Sequence, residues 1–66
     1  MFNIVLEPSG QRGARMYWSK AGQWVWDKAR AMTLPRREAF AKAWALGGDN
    51  LLPGAHSAGF VEVVPA

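Results

Sequence analysis

Two short aromatic runs, Met16-Tyr17-Trp18-Ser19 and Trp24-Val25-Trp26, flank the tripeptide Ala21-Gly22-Gln23. Residues that suit a pleated surface on both sides of a Gly-centred turn point to a β-hairpin. The period of two puts Met16 and Trp18 on one face with Arg15 and Tyr17 on the other, while Trp24 and Trp26 share a face opposite Val25. Large aromatics therefore face one another across the hairpin whatever its register. The chain has 66 residues, half of them hydrophobic, with four Trp and no Cys. A chain this short buries only about 60% of its unfolded surface on folding, and without Cys no disulfide can staple it. Its core must come from a few large side chains, each worth roughly 1.5–3 kcal/mol when buried. Trp18, Trp24 and Trp26 are expected to be that core, lying under a helix and meeting Phe40 and Trp44.

The remaining elements follow from period and punctuation. Phe2-Asn3-Ile4-Val5-Leu6 reads as a strand with Phe2, Ile4 and Leu6 on one face, ended by Glu7-Pro8-Ser9-Gly10 and a polar loop to Gly13. A second strand is expected from about Ala14 to Lys20 and a third over Trp24 to Trp26. Asp27 to Met32 reads as a loop, with room for a helical turn. Pro35 suits the first turn of a helix, where its missing N–H is not needed, and the helix is expected to run to about Leu46. Ala39, Phe40, Ala43, Trp44 and Gly47 form its apolar stripe, the four alanines raise its helix propensity, and Gly47-Gly48 supplies its C-terminal cap. Asp49 to Gly59 reads as a loop with Leu51-Leu52 folded back on the core, and Phe60 to Val64 as a closing strand. The order β-β-β-α-β implies an α+β fold: a small three- to four-stranded sheet with one amphipathic helix on a face, in a single domain spanning residues 1–66. Pairing of the first and last strands is plausible, with its direction left open.

Catalytic parts are scarce. Ser9, Ser19, Thr33 and Ser57 have one candidate base, His56, in a Gly-rich loop. One His and scattered carboxylates make neither a zinc nor a calcium pattern. Glu7, Asp27, Glu38, Asp49 and Glu62 would need a shared cleft for paired acid/base work, and a domain of this size offers little cleft. Gly10-Gln11-Arg12-Gly13 lacks the Lys-Ser or Lys-Thr and the strand-to-helix context of a phosphate loop. The expectation is a protein that is not an enzyme and uses no cofactor and no metal. No apolar run is long enough to span a membrane, the start lacks the features of a signal peptide, and the absence of Cys fits a reducing compartment. A cytoplasmic location is expected.

Binding is what remains. The formal net charge is +3 and the isoelectric point is near 10.0, a balance that favours acidic partners. The eight Lys and Arg are spread through the middle of the chain, so any basic cluster must be made by folding. Basic residues interleave with the hairpin aromatics, as in proteins that stack single-stranded bases and neutralise phosphates. Tyr17, on the face away from Trp18, is the exposed candidate there. Arg36 and Arg37 sit in the first helical turn, where cations oppose the helix dipole at a cost of a few tenths of a kcal/mol each. Two guanidinium forks beside free N–H groups suit an anion or carboxylate. The candidate partner-binding set is Arg15, Tyr17, Lys20, Arg36, Arg37 and Lys42.

The run Tyr17, Trp24, Asp27, Ala29, Met32, then Glu38-Ala39 and the closing Val61-Glu62-Val63-Val64, resembles a pattern of short orphan proteins of phages and mobile elements. In those, a hairpin bearing an aromatic and a Trp leads through an Ala and a large apolar residue to a helix and a final strand. The resemblance covers most of the chain through about a dozen positions and carries over no binding residues. It implies stoichiometric inhibition of host defence, as by anti-CRISPR proteins. A positive charge speaks against DNA mimicry, which leaves blocking of an acidic or mixed surface on a host protein complex. The alternatives are a basic single-stranded nucleic-acid binder and a small structural or oligomer-forming subunit, with the oligomeric state left open.

Overall fold

The computed structural model describes residues 1–8, 10–47 and 59–66. The expectations for Ser9, Gly48, Leu51-Leu52, His56 and Ser57 lie outside the described residues. Four strands, β1 (Phe2–Pro8), β2 (Met16–Trp18), β3 (Trp24–Val25) and β4 (Gly59–Pro65), form one sheet with a helix, α1 (Arg36–Gly47), on one face. The sheet order is β3-β2-β1-β4, and every neighbouring pair is antiparallel. This is the α+β arrangement expected, and the open question of strand direction is settled: β1 and β4 pair antiparallel from Phe2↔Pro65 to Pro8↔Gly59.

The register sorts the sheet into two faces. Ile4, Leu6, Met16, Trp18, Trp24, Val61 and Val63 fall on the face that α1 covers. Ile4, Leu6, Ala43 and Val61 form its buried centre, with Trp18 and Trp24 packed against it. The two indoles meet edge to face, with centroids 5.1 Å apart and planes at 69°, a geometry that adds about 1 kcal/mol to their burial. They are cross-strand partners, so the hairpin expectation holds for this pair. The turn closes through Ser19, whose N–H donates to the Gln23 carbonyl at 2.9 Å while its buried Oγ accepts from the Gln23 N–H at 3.2 Å.

Both hairpin strands are shorter than expected. Pairing of β2 with β1 covers only Met16 and Tyr17, because residues 31–34 take over the β1 edge: Phe2 and Leu34 exchange N–H···O bonds of 2.8 and 2.9 Å, and Met32 N–H donates to the Trp18 carbonyl. Asn3 sits buried at this junction and donates Nδ2–H to the Met32 carbonyl at 3.1 Å. β3 ends at Val25 because Asp27 caps a short 3-10 turn, Lys28–Arg30, its Oδ1 accepting from the Ala29 N–H at 2.9 Å. The turn anticipated in this stretch is therefore real, and it carries Trp26 off the sheet. Trp26 is 58% exposed, which corrects its assignment to the core.

Helix α1 begins one residue later than expected. Pro35 stands at the cap, its carbonyl accepting the first helical bond from Ala39 N–H at 2.9 Å. At the other end of the sheet Gly59 lies opposite Pro8 with φ +136°. A Cβ there would overlap the Glu7 carbonyl, so only Gly lets β4 start flush against β1.

Candidate partner-binding surface

The helix puts its smallest residues toward the sheet. Ala39 and Ala43 are buried, and their size lets the helix backbone lie close over β1 and β4. Phe40 and Trp44, one residue further round, are thereby pushed onto the flank. They are 53% and 56% exposed and do not meet the hairpin tryptophans, which corrects the expected five-residue core stripe. The cause is the lateral extent of the sheet. Toward the hairpin the sheet continues through β2 and β3, whose Trp18 and Trp24 pack against the core, whereas on the other side it ends at β4 among the described residues.

The two flanks of α1 differ accordingly. On the β2 side the Lys42 ammonium stands 5.9 Å over the Trp18 ring, so Lys42 covers a core aromatic with its stem and head. On the β4 side the Arg36 guanidinium stands 5.8 Å over the Phe40 ring. Arg36, Phe40 and Trp44 are spaced by four and stack along one line of the helix. Below them a groove is lined by Phe40, Ala43, Val61, Glu62 and Val63. Beyond β4 no further strand pairs with it among the described residues.

The six residues singled out by sequence occupy separate places. Arg36 and Arg37 are exposed at the start of α1, and Lys42 lies on the opposite flank from Phe40 and Trp44. Tyr17 is half-buried on the sheet face away from α1, opposite Val5 and Val25. Arg15, exposed, helps line a depression there with Val5, Glu7, Ala14, Phe60 and Glu62. Lys20 is exposed in the hairpin turn. No single patch gathers all six. The exposed aromatics Phe40 and Trp44 were missed as surface residues, since period alone puts them in the same stripe as Ala39 and Ala43.

Glu7 Oε2 accepts from the Gly13 N–H at 3.0 Å, and Asp27 caps the 3-10 turn, so both serve the backbone. Among the described residues no three His, Cys, Asp or Glu come together as a metal site, and no helix is long and apolar enough to cross a membrane. Compared with protein-family models, curated proteins and solved structures, the chain matches none.

Proposed function

We propose that this chain is a small non-enzymatic protein-binding module, a phage or mobile-element inhibitor that blocks a host defence complex stoichiometrically, in the manner of anti-CRISPR proteins. The observation that carries this reading is the flank of α1 on which Arg36, Phe40 and Trp44 stand in line, with two large rings more than half exposed. Burying such rings is worth several kcal/mol, and in a chain so short a fold that needed them for its core would have turned them inward. Aromatic and Arg side chains are also those that dominate protein interfaces. The net charge of +3 favours an acidic or mixed partner surface, and on this reading the chain acts in the host cytoplasm.

A bacterial strain whose CRISPR-type defence restricts a phage provides the test. Expression of the chain is expected to restore plaque formation, and the immobilised chain is expected to retain the effector complex from that strain's lysate. Unchanged restriction together with retention of nucleic acid alone would overturn the reading.

One observation favours a second reading, a basic single-stranded nucleic-acid binder. Trp26 is exposed and followed by exposed Lys28 and Arg30, the ring-and-cation combination that stacks bases and neutralises phosphate. Oligonucleotide affinity that falls steeply with salt and is lost in Trp26→Ala would establish it.

A further inference from the structure

We infer that the flank of α1 carrying Arg36, Phe40 and Trp44 is covered, when no other partner is present, by the same flank of a second copy of this chain, in a two-fold antiparallel helix pair. The inference goes beyond the protein-binding reading above. It concerns what the exposed rings do in the protein by itself and needs no host complex.

The line of three residues is complementary to itself. A two-fold axis at Phe40 sets the two Phe40 rings against each other and pairs each remaining residue with the one equally far from Phe40 on the other helix. Arg36 of each copy then meets Trp44 of the other. Trp is the ring a cation prefers, and among the described residues no cation stands over Trp44, whereas Phe40 has Arg36 at 5.8 Å. The guanidinium is planar and stacks on aromatic rings. Arg36 is exposed, so with one face toward Phe40 it has the other for the Trp44 ring of the second copy. Self-complementary patches of this kind build the two-fold dimers that are the commonest soluble oligomers.

Charge selects the antiparallel direction. Parallel helices would bring the two Arg36 side chains together. Antiparallel ones separate them by eight residues, about 12 Å at 1.5 Å per residue, which exceeds the Debye length of about 8 Å at physiological salt. Two chains that each carry a net charge of +3 can then meet along this line.

Area sets the strength. Large aromatics bury about 150–250 Å² each, and Phe40 and Trp44 are more than half exposed, so each ring has roughly 100 Å² left to bury. Four rings and two Arg36 side chains bury about 600 Å², half of the roughly 1,200 Å² at which stable interfaces begin. The dimer is therefore weak, with a Kd on the order of 100 µM, and the flank stays available to a tighter partner.

Sedimentation equilibrium from about 10 µM to about 1 mM tests this, with circular dichroism to show that each variant is folded. The parent is expected to pass from monomer to dimer across that range. Trp44→Ala and Arg36→Glu should each raise the Kd at least about tenfold, and Arg36→Lys, which keeps a cation, should raise it less. Trp26→Ala removes an equally exposed ring from a different element and should leave the Kd unchanged. The chain has no Cys, so introduced thiols report the direction. In a mixture of Arg36→Cys and Trp44→Cys chains, the mixed pair brings the two thiols together and keeps one native Arg36–Trp44 contact at its other end. Oxidation should give that mixed disulfide, and none between two Arg36→Cys chains, whose sulfurs stand too far apart to bond. A parent that stays monomeric at about 1 mM, a dimer indifferent to Trp44→Ala, or an Arg36→Cys self-disulfide as abundant as the mixed one would overturn the inference. Capture of a host complex is a separate measurement: if the pairing fails, the protein-binding reading stands, and if capture fails, the pairing stands.

Discussion

Trp18 and Trp24 on one side of α1 and Phe40 and Trp44 on the other are chemically alike and lie against the same helix, yet one pair is core and the other is surface. The hairpin indoles have strands beneath them and Lys42 above, and they pack edge to face. The helical rings stand on the other flank more than half exposed, with Arg36 laid across Phe40. An aromatic is thus committed to the core or left on the surface by how far the sheet extends beside it, a property of strand order and not of the residue.

The sharpest way to break the comparison is to remove a ring from each side. Trp18→Ala deletes the edge-to-face contact and opens space against Ile4 and Lys42, and should cost about 3–4 kcal/mol. A 66-residue domain has roughly 3–10 kcal/mol of stability in total, so chemical denaturation should show this variant losing a third or more of it. Gly59→Ala attacks the strand that ends the sheet. The strained φ and the overlap with the Glu7 carbonyl should cost about 3 kcal/mol, read as a lower denaturation midpoint together with faster amide exchange across β4. Ala43→Leu wedges the helix away from the sheet and should cost about 2 kcal/mol, while the accessibility of Phe40 and Trp44 to a fluorescence quencher rises little because they are already outside. Lys42→Ala removes one cation from the Trp18 ring and should cost only about 0.5 kcal/mol, with Trp18 more open to quencher.

Much of the fold is legible in the sequence because it is local. The alternation in β1 and β4, the Gly-centred hairpin turn and the Ala-rich helix each state their own period, and the Trp18–Trp24 contact follows from the short turn between them. What is not legible is lateral. Nothing in residues 39–44 says whether the sheet continues beside Phe40, because that depends on β1 pairing with β2 on one side and β4 on the other, contacts made by residues outside the helix. The end of β3 at Val25 depends likewise on Asp27 turning its carboxylate back to cap Ala29, and this removed Trp26 from the core. The binding set rests on charge, Tyr17 apart, and charge marks a residue as exposed without saying which neighbours it will have. Folding therefore put Arg36 and Arg37 beside an aromatic flank, Lys42 across the helix from it, and Arg15, Tyr17 and Lys20 elsewhere.

One paired measurement bears most directly on the division between core and surface aromatics: thermal unfolding and capture of the proposed host complex, both on Trp44→Ala. The account predicts a melting temperature within about 8 °C of the parent, since a ring more than half exposed contributes about 1 kcal/mol and each kcal/mol shifts a domain of this size by about 4–8 °C, together with loss of capture. A variant that unfolds as Trp18→Ala does, or that keeps its stability and captures the complex undiminished, would contradict it.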